Sequence, residues 1–219
     1  MAGAGHVREV PSIRRVSFSW EDSRTAFADA AGWFVRTASL VGDRWDRPGL
    51  GEWDVRALAG HTSRALLTVE AYLARPASAA DIASPAGYFA ATRVAAAGPA
   101  VASRGRDAGA ALGSDPAAAV AQIAARVLAL VGTRDGTELV TTIAGGMRLS
   151  DYLPTRTFEL AVHTADLAAA LGVPPDVPAT AAAQALTIVT DLAVADGLAG
   201  PLLLAATGRP GLPAGFSVL

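Results

Sequence analysis

The sequence predicts a mainly α-helical fold: a four-helix bundle with one short β-hairpin and a small C-terminal α(+β) extension. Three observations predict it. Large apolar residues recur at intervals of three and four along four long stretches, which is the period of a half-buried helix. The ends of those stretches carry helix punctuation, Asp or Pro at the start and Gly or Pro after the end. Only one region, 137–149, alternates as strands do and holds a glycine pair. The expected organisation is a loose leader over 1–17, the bundle over 18–172 and a small helical subdomain over 173–219.

The leader is Gly- and Arg-rich without apolar period, and His6 within it reads as a solvated side chain. A first helix is expected from Trp20 to Val41, with Phe27, Ala31, Phe34 or Trp33, Ala38 and Val41 as its stripe. The stretch from Trp45 to Glu52 reads as turn chemistry. A second helix should run from Trp53 to Leu73 with Asp54 as N-cap, whose carboxylate can accept from a free N–H of the first turn. From Ala74 to Asp115 the chain is rich in Ala, Gly, Ser and Pro, so a long, partly mobile connection is expected, with one short helix around Pro85 to Ala97.

Asp115 and Pro116 open a third bundle helix reaching Val131, on which Val120, Ile123, Val127 or Ala124, and Leu130 keep helical spacing. Residues 137–143 and 147–149 read as a hairpin parted by Gly145 and Gly146. The fourth helix is expected from Tyr152 to Leu171, entered through Pro154 in its first turn and stopped by Gly172, Pro174 and Pro175. Helices over 178–195 and 200–207 complete the chain.

The composition narrows the chemistry. Of 219 residues, 52% are hydrophobic and 17% charged, which allows a sizeable core. The net charge is −2 and the arginines are scattered, so a nucleic-acid partner is not expected; the partner expected is a small molecule, and the chain a monomer or homodimer. No apolar run reaches the ~20 residues that span a bilayer, and the first residues lack a signal-peptide layout, so no membrane association and a cytoplasmic location are expected. Every one of the 18 basic residues is Arg, with no Lys and no Asn and abundant Ala, a bias expected of a GC-rich genome such as an actinobacterial one. The chain has no cysteine, which excludes a disulfide, a thiolate ligand and a cysteine nucleophile of its own, and the missing lysine excludes a Schiff base.

Glu159 and His163 stand four residues apart on the fourth helix, so a carboxylate and an imidazole leave one face a turn apart and can share a cation. A plain hydrogen-bonded pair is the alternative. Phe158, Leu160, Val162, Leu167 and Leu171 surround the two, which turns part of that face inward, where a carboxylate needs a partner. The order is not the His-Glu-x-x-His of zinc proteases, and a third ligand must come from elsewhere. His61, on the second helix, shares a face with Ala57, Leu58, Ala65 and Thr68 and so points inward, either as a core histidine or toward such a site.

The segments Trp53-Asp-Val-Arg-Ala-Leu-Ala-Gly-His61, Leu153-Pro-Thr-Arg-Thr-Phe-Glu159-Leu-Ala-Val-His163-Thr-Ala-Asp166-Leu and Leu202-Leu-Leu-Ala-Ala-Thr-Gly-Arg209 resemble the mycothiol-dependent maleylpyruvate isomerase family, part of the DinB/YfiT-like metalloproteins. The resemblance spans nearly the whole chain. It implies a DinB-like four-helix bundle with a divalent metal, zinc first, on His61, Glu159 and His163, and mycothiol as co-substrate. Two histidines and a glutamate leave a coordination position open, as in a catalytic rather than a structural zinc site. The implied activity is thiol transfer to a small electrophile, or cis-trans isomerisation through a transient thiol adduct, with transfer slightly favoured. Arg209 would pair with a carboxylate of thiol or substrate, or else cap a helix end. Asp166 would support His163 from outside the ligand set, or serve as general base if the protein were a metal-dependent hydrolase. A non-catalytic binding protein with its helices tied by a metal is the remaining alternative.

Overall fold

The computed structural model describes residues 18–96, 100–209 and 211–219. The expectations for the leader, His6 included, lie outside the described residues. Four long helices form the bundle: α1 (Trp20–Ser39), α2 (Val55–Leu73), α5 (Pro116–Gly132) and α6 (Leu149–Leu171). Each of α1 and α2 packs on both α5 and α6, which closes a four-membered ring around Phe27, Phe34, Leu58, Leu66, Val127, Leu153 and Leu160. Helix ends follow their sequence signals. Ser19 and Asp22 form a reciprocal capping box on α1, Asp54 accepts from Ala57 N on α2, Asp115 accepts from Ala118 N ahead of Pro116, and Gly172 closes α6 at φ 70°.

Two antiparallel strand pairs accompany the helices. The residues around Trp45 to Glu52 contain β1 (Pro48–Leu50), which pairs with β2 (Trp53–Asp54), a pairing that the turn-rich composition hides. The backbone beside this pair then seats α2, because Val55 N donates to Arg47 O and Arg56 N to Trp45 O. The second pair is the expected hairpin, β3 (Leu139–Thr142) and β4 (Gly145–Arg148), but its turn is Ile143-Ala144 and the glycines lie in β4. They serve close approach. A Cβ on Gly146 would stand 1.9 Å from Ala79 O, and Gly146 N donates to Asp81 Oδ2 at 2.7 Å.

The region 74–115 departs most from expectation. Its first part lies along the hairpin, with Thr141 N donating to Arg75 O, Ala77 N to Leu139 O and Asp81 N to Gly146 O. It then forms two helices in place of one, α3 (Pro85–Ala96) and α4 (Ala100–Ala111). Small residues make α4 possible: Gly60 of α2 and Gly109 of α4 meet backbone to backbone, so that a Cβ on Gly60 would lie 2.1 Å from Gly109 N.

Helix α6 begins three residues before the expected start, which leaves Pro154 as its sixth residue and not in its first turn. The preceding loop supplies the reason: Leu149 N and Ser150 N donate to Glu138 O and Gly136 O, so two N–H groups of the first turn already have acceptors and the helix can start there. The C-terminal extension consists of α7 (Ala179–Ala195) and α8 (Ala199–Ala206), with no strand among its described residues. Helix α7 packs on α1 and α6 and adds Ala181, Ile188 and Leu192 to the same core. Among the described residues no single helix is long and apolar enough to cross a membrane.

Candidate metal centre

One face of α6 carries Tyr152, Arg156, Glu159 and His163, at successive offsets of four, three and four residues, and that face meets α2. The contacts run in opposite order along the two helices. At one end the rings of His61 and His163 meet edge to face with centroids 4.7 Å apart; at the other Tyr72 lies 5.3 Å from Tyr152, whose hydroxyl donates to Thr68 Oγ1 at 3.0 Å. Helix α3 leans on the same seam through Tyr88, 5.7 Å from Tyr152, and Phe89, 4.9 Å from Phe158.

The structure brings together the three residues expected to bind metal. His61, Glu159 and His163 each present one ligand atom, and these atoms lie within 4.8 Å of one another. His163 Nε2 is 3.3 Å from Glu159 Oε2, and its Nδ1 is 3.1 Å from Asp166 Oδ2. Asp166 thus holds the far nitrogen of the ring and leaves the near one directed at Glu159. His61 is positioned from its other side by Trp53, whose ring is 4.4 Å away and whose Nε1 donates to Ala102 O of α4 at 3.0 Å. Sequence reasoning assigned Trp53 no role, although its distance of eight residues from His61 was visible.

The three groups of this cluster are shifted in different directions. Burial works against charge on both histidines. It prevails at His61, helped by the neighbouring His163, and lowers that imidazole to about 4, so it is neutral at pH 7. At His163 burial is overcome by its hydrogen bonds to the Asp166 and Glu159 carboxylates, which raise it to about 9. Burial likewise opposes ionisation of Glu159, but its bond with His163 and the charge of Arg156 hold it down at about 2. The metal-free cluster therefore binds one proton between two carboxylates beside a neutral imidazole.

The donor set fits a divalent metal, and one observation tests the fit. His61 Nδ1 is buried and has no hydrogen-bond partner among the described residues. A buried polar atom in that state costs about 1–3 kcal/mol, a cost that a cation bound at that nitrogen would relieve. Imidazole nitrogen and carboxylate oxygen are ligands that zinc accepts, and three protein donors leave a position open.

A family model described as mycothiol maleylpyruvate isomerase N-terminal domain matches residues 23–168. The chain belongs to that family. The match to the mycothiol maleylpyruvate isomerase N-terminal domain runs from within α1 to within α6 and contains His61, Arg156, Glu159, His163 and Asp166; it ends before α7 and α8. No curated protein and no solved structure matches the chain.

Arg209 lies outside the matched region, after α8. It is exposed, and its Nη1 donates to Thr207 O at 2.8 Å, the helix-end contact weighed for it from the sequence. Among the described residues no hydrogen bond or ion pair joins it to His61, Glu159 or His163.

Proposed function

We propose that this member of the family is a divalent-metal enzyme, zinc being the first choice, that uses mycothiol as nucleophile toward a small electrophile. The observation that supports it most is the convergence of His61, Glu159 and His163, one ligand atom from each lying within 4.8 Å of the others. A divalent metal held there supplies Lewis acidity, which lowers the pKa of a thiol below its usual value of about 8.5 and yields thiolate near neutral pH. A chain without cysteine has to take that thiol from solution.

The protein's own residues have separable tasks. His61 stays neutral and so available as a ligand because burial keeps its proton off. Asp166 accepts from His163 Nδ1, which fixes the tautomer that offers Nε2. The Trp53 ring lies against His61 and is itself held by its bond to Ala102 O of α4. The thiolate forms a C–S bond with an electrophilic carbon of the substrate. If the adduct is kept and takes up a proton or loses a leaving group, the product is a thioether; if it rotates about its C–C bond and expels the thiolate, the product is an isomer with thiol unconsumed. Transfer is slightly favoured, because both outcomes share adduct formation and isomerisation adds a substrate-specific expulsion.

The test is turnover of cis-unsaturated diacids and related carbon electrophiles by the zinc-loaded protein with and without mycothiol. Product only in the presence of thiol supports the reading, and the fate of the thiol separates isomerase from transferase. Product formation that ignores the thiol would favour a hydrolase, and no turnover with any thiol a binding protein.

A further inference from the structure

Arg156 is a buried charge that this reading leaves without a task. It is 7% exposed, on the face of α6 that also carries Glu159 and His163. Its Nε donates to Thr155 Oγ1 at 2.9 Å, and its guanidinium carbon lies 5.2 Å from the Tyr88 ring centroid and 5.0 Å from that of Tyr152. Among the described residues it forms no ion pair, and no hydrogen bond from its two terminal nitrogens is present. Glu159, one turn on, is already paired with His163. Taking a guanidinium out of water is costly unless an anion and hydrogen-bond acceptors replace the lost hydration. Two aromatic faces and the Tyr88 hydroxyl offset part of that cost but supply no anion for the planar N–H fork.

A carboxylate matches what is missing. It accepts two parallel N–H bonds from one guanidinium, and its apolar chain suits the Tyr88, Tyr152 and Phe158 surroundings. We propose that Arg156 binds a carboxylate of the small-molecule ligand, so that the site selects short organic acids. The helix sets the scale: Arg156 is about 4.5 Å along the axis from Glu159 and about 10 Å from His163. An acid of a few carbons anchored at Arg156 thus extends along the same face toward the three clustered residues. This rests on the thiol reading for what happens to the acid, though not for its binding. The sequence suggests Arg209 for the task, but Arg209 is exposed and bonded to Thr207 O.

The experiment is calorimetric titration of the full chain with succinate, zinc-loaded and again after chelation, for the wild type and Arg156→Lys. Saturable binding is expected in both metal states, weakened about tenfold or more by the lysine, which cannot offer the fork, while succinamide does not bind. Melting temperature and bound zinc should stay near wild type. Should the variant not fold, Overhauser contacts in the wild type between the succinate methylenes and the Tyr88 and Tyr152 rings give the same information. No succinate binding, equal affinity in Arg156→Lys, or ring contacts elsewhere would overturn the proposal. Succinate binding through Arg156 in a chain that retains no metal would overturn the thiol reading and leave this one standing.

Discussion

His163 stands between two carboxylates, and His61 beside it is kept neutral, so the stability of the metal-free protein should depend on pH in two opposite ways. The proton on His163 stabilises the fold fully below its ordinary value of 6.5, and that contribution is lost as pH rises to about 9. His61 acts on the acid side: its value falls from 6.5 to about 4, so the unfolded chain takes a proton first and stability falls as pH drops between the two. Glu159 extends the acid loss, since its contribution is present above 4.5 and fades toward about 2. Chelated protein should therefore melt highest near pH 6.5 and lower on either side. Zinc should remove the alkaline decline, because metal replaces the proton, and one proton should be released per metal bound at pH 7. A flat alkaline flank in chelated protein would contradict the charge assignment. Asp166→Asn should weaken metal binding about 10–100-fold with the fold intact, read by competition with a chelator, and equal affinity would remove Asp166 from its supporting role.

At this scale the sequence shows residue types and spacing, and Glu159 and His163 are legible because a single helix sets their distance. Arg156 carries a comparable signal, three residues before Glu159 and four after Tyr152. That it forms no ion pair among the described residues is visible only when α2 and α3 are in place. The partnership of Trp53 with His61 needed α4, which the sequence does not announce.

Helix α4 is held against α2 by the absence of side chains, and this dictates the next prediction. Gly60→Ala would drive a methyl to within 2.1 Å of Gly109 N, a backbone atom that cannot rotate away. The variant should lose about 1–3 kcal/mol or more in denaturant unfolding. Because Gly60 precedes His61 and α4 carries the Ala102 acceptor of Trp53, it should also bind metal more weakly. Stability equal to wild type would mean that α4 is not seated where described. The same physics explains why α4 was missed: a helix that packs through Gly and Ala has no stripe of large apolar residues to betray its period. Pro154 misled in the other direction. Proline in a first turn is a sound default, but the carbonyls of Gly136 and Glu138 satisfy N–H groups ahead of it and the helix extends back through Leu149. The four bundle helices themselves were legible, since each carries large residues on one face and a marked end.

For the whole molecule, the core is continuous from α1 to α7. Gln184 Nε2 donates to Ser23 Oγ at 3.2 Å, Thr180 Oγ1 donates to Asp29 Oδ2 at 2.6 Å, and Ile188 and Leu192 join the bundle core. A single calorimetric transition is expected, and Ile188→Ala should lower it as one unit by about 2–5 kcal/mol in stability. A separate low transition attributable to residues 173–219 would show that the extension folds apart from the bundle. The family match ends at residue 168, and yet the bundle buries part of its surface under α7. The most direct test of the central claim is elemental analysis of metal bound to the purified wild type and to His61→Ala, Glu159→Ala and His163→Ala, each reloaded with zinc and desalted. The wild type should hold about one metal per chain and each variant should lose most of it, because two donors do not make a tight site. Full retention of metal by all three variants would contradict the account.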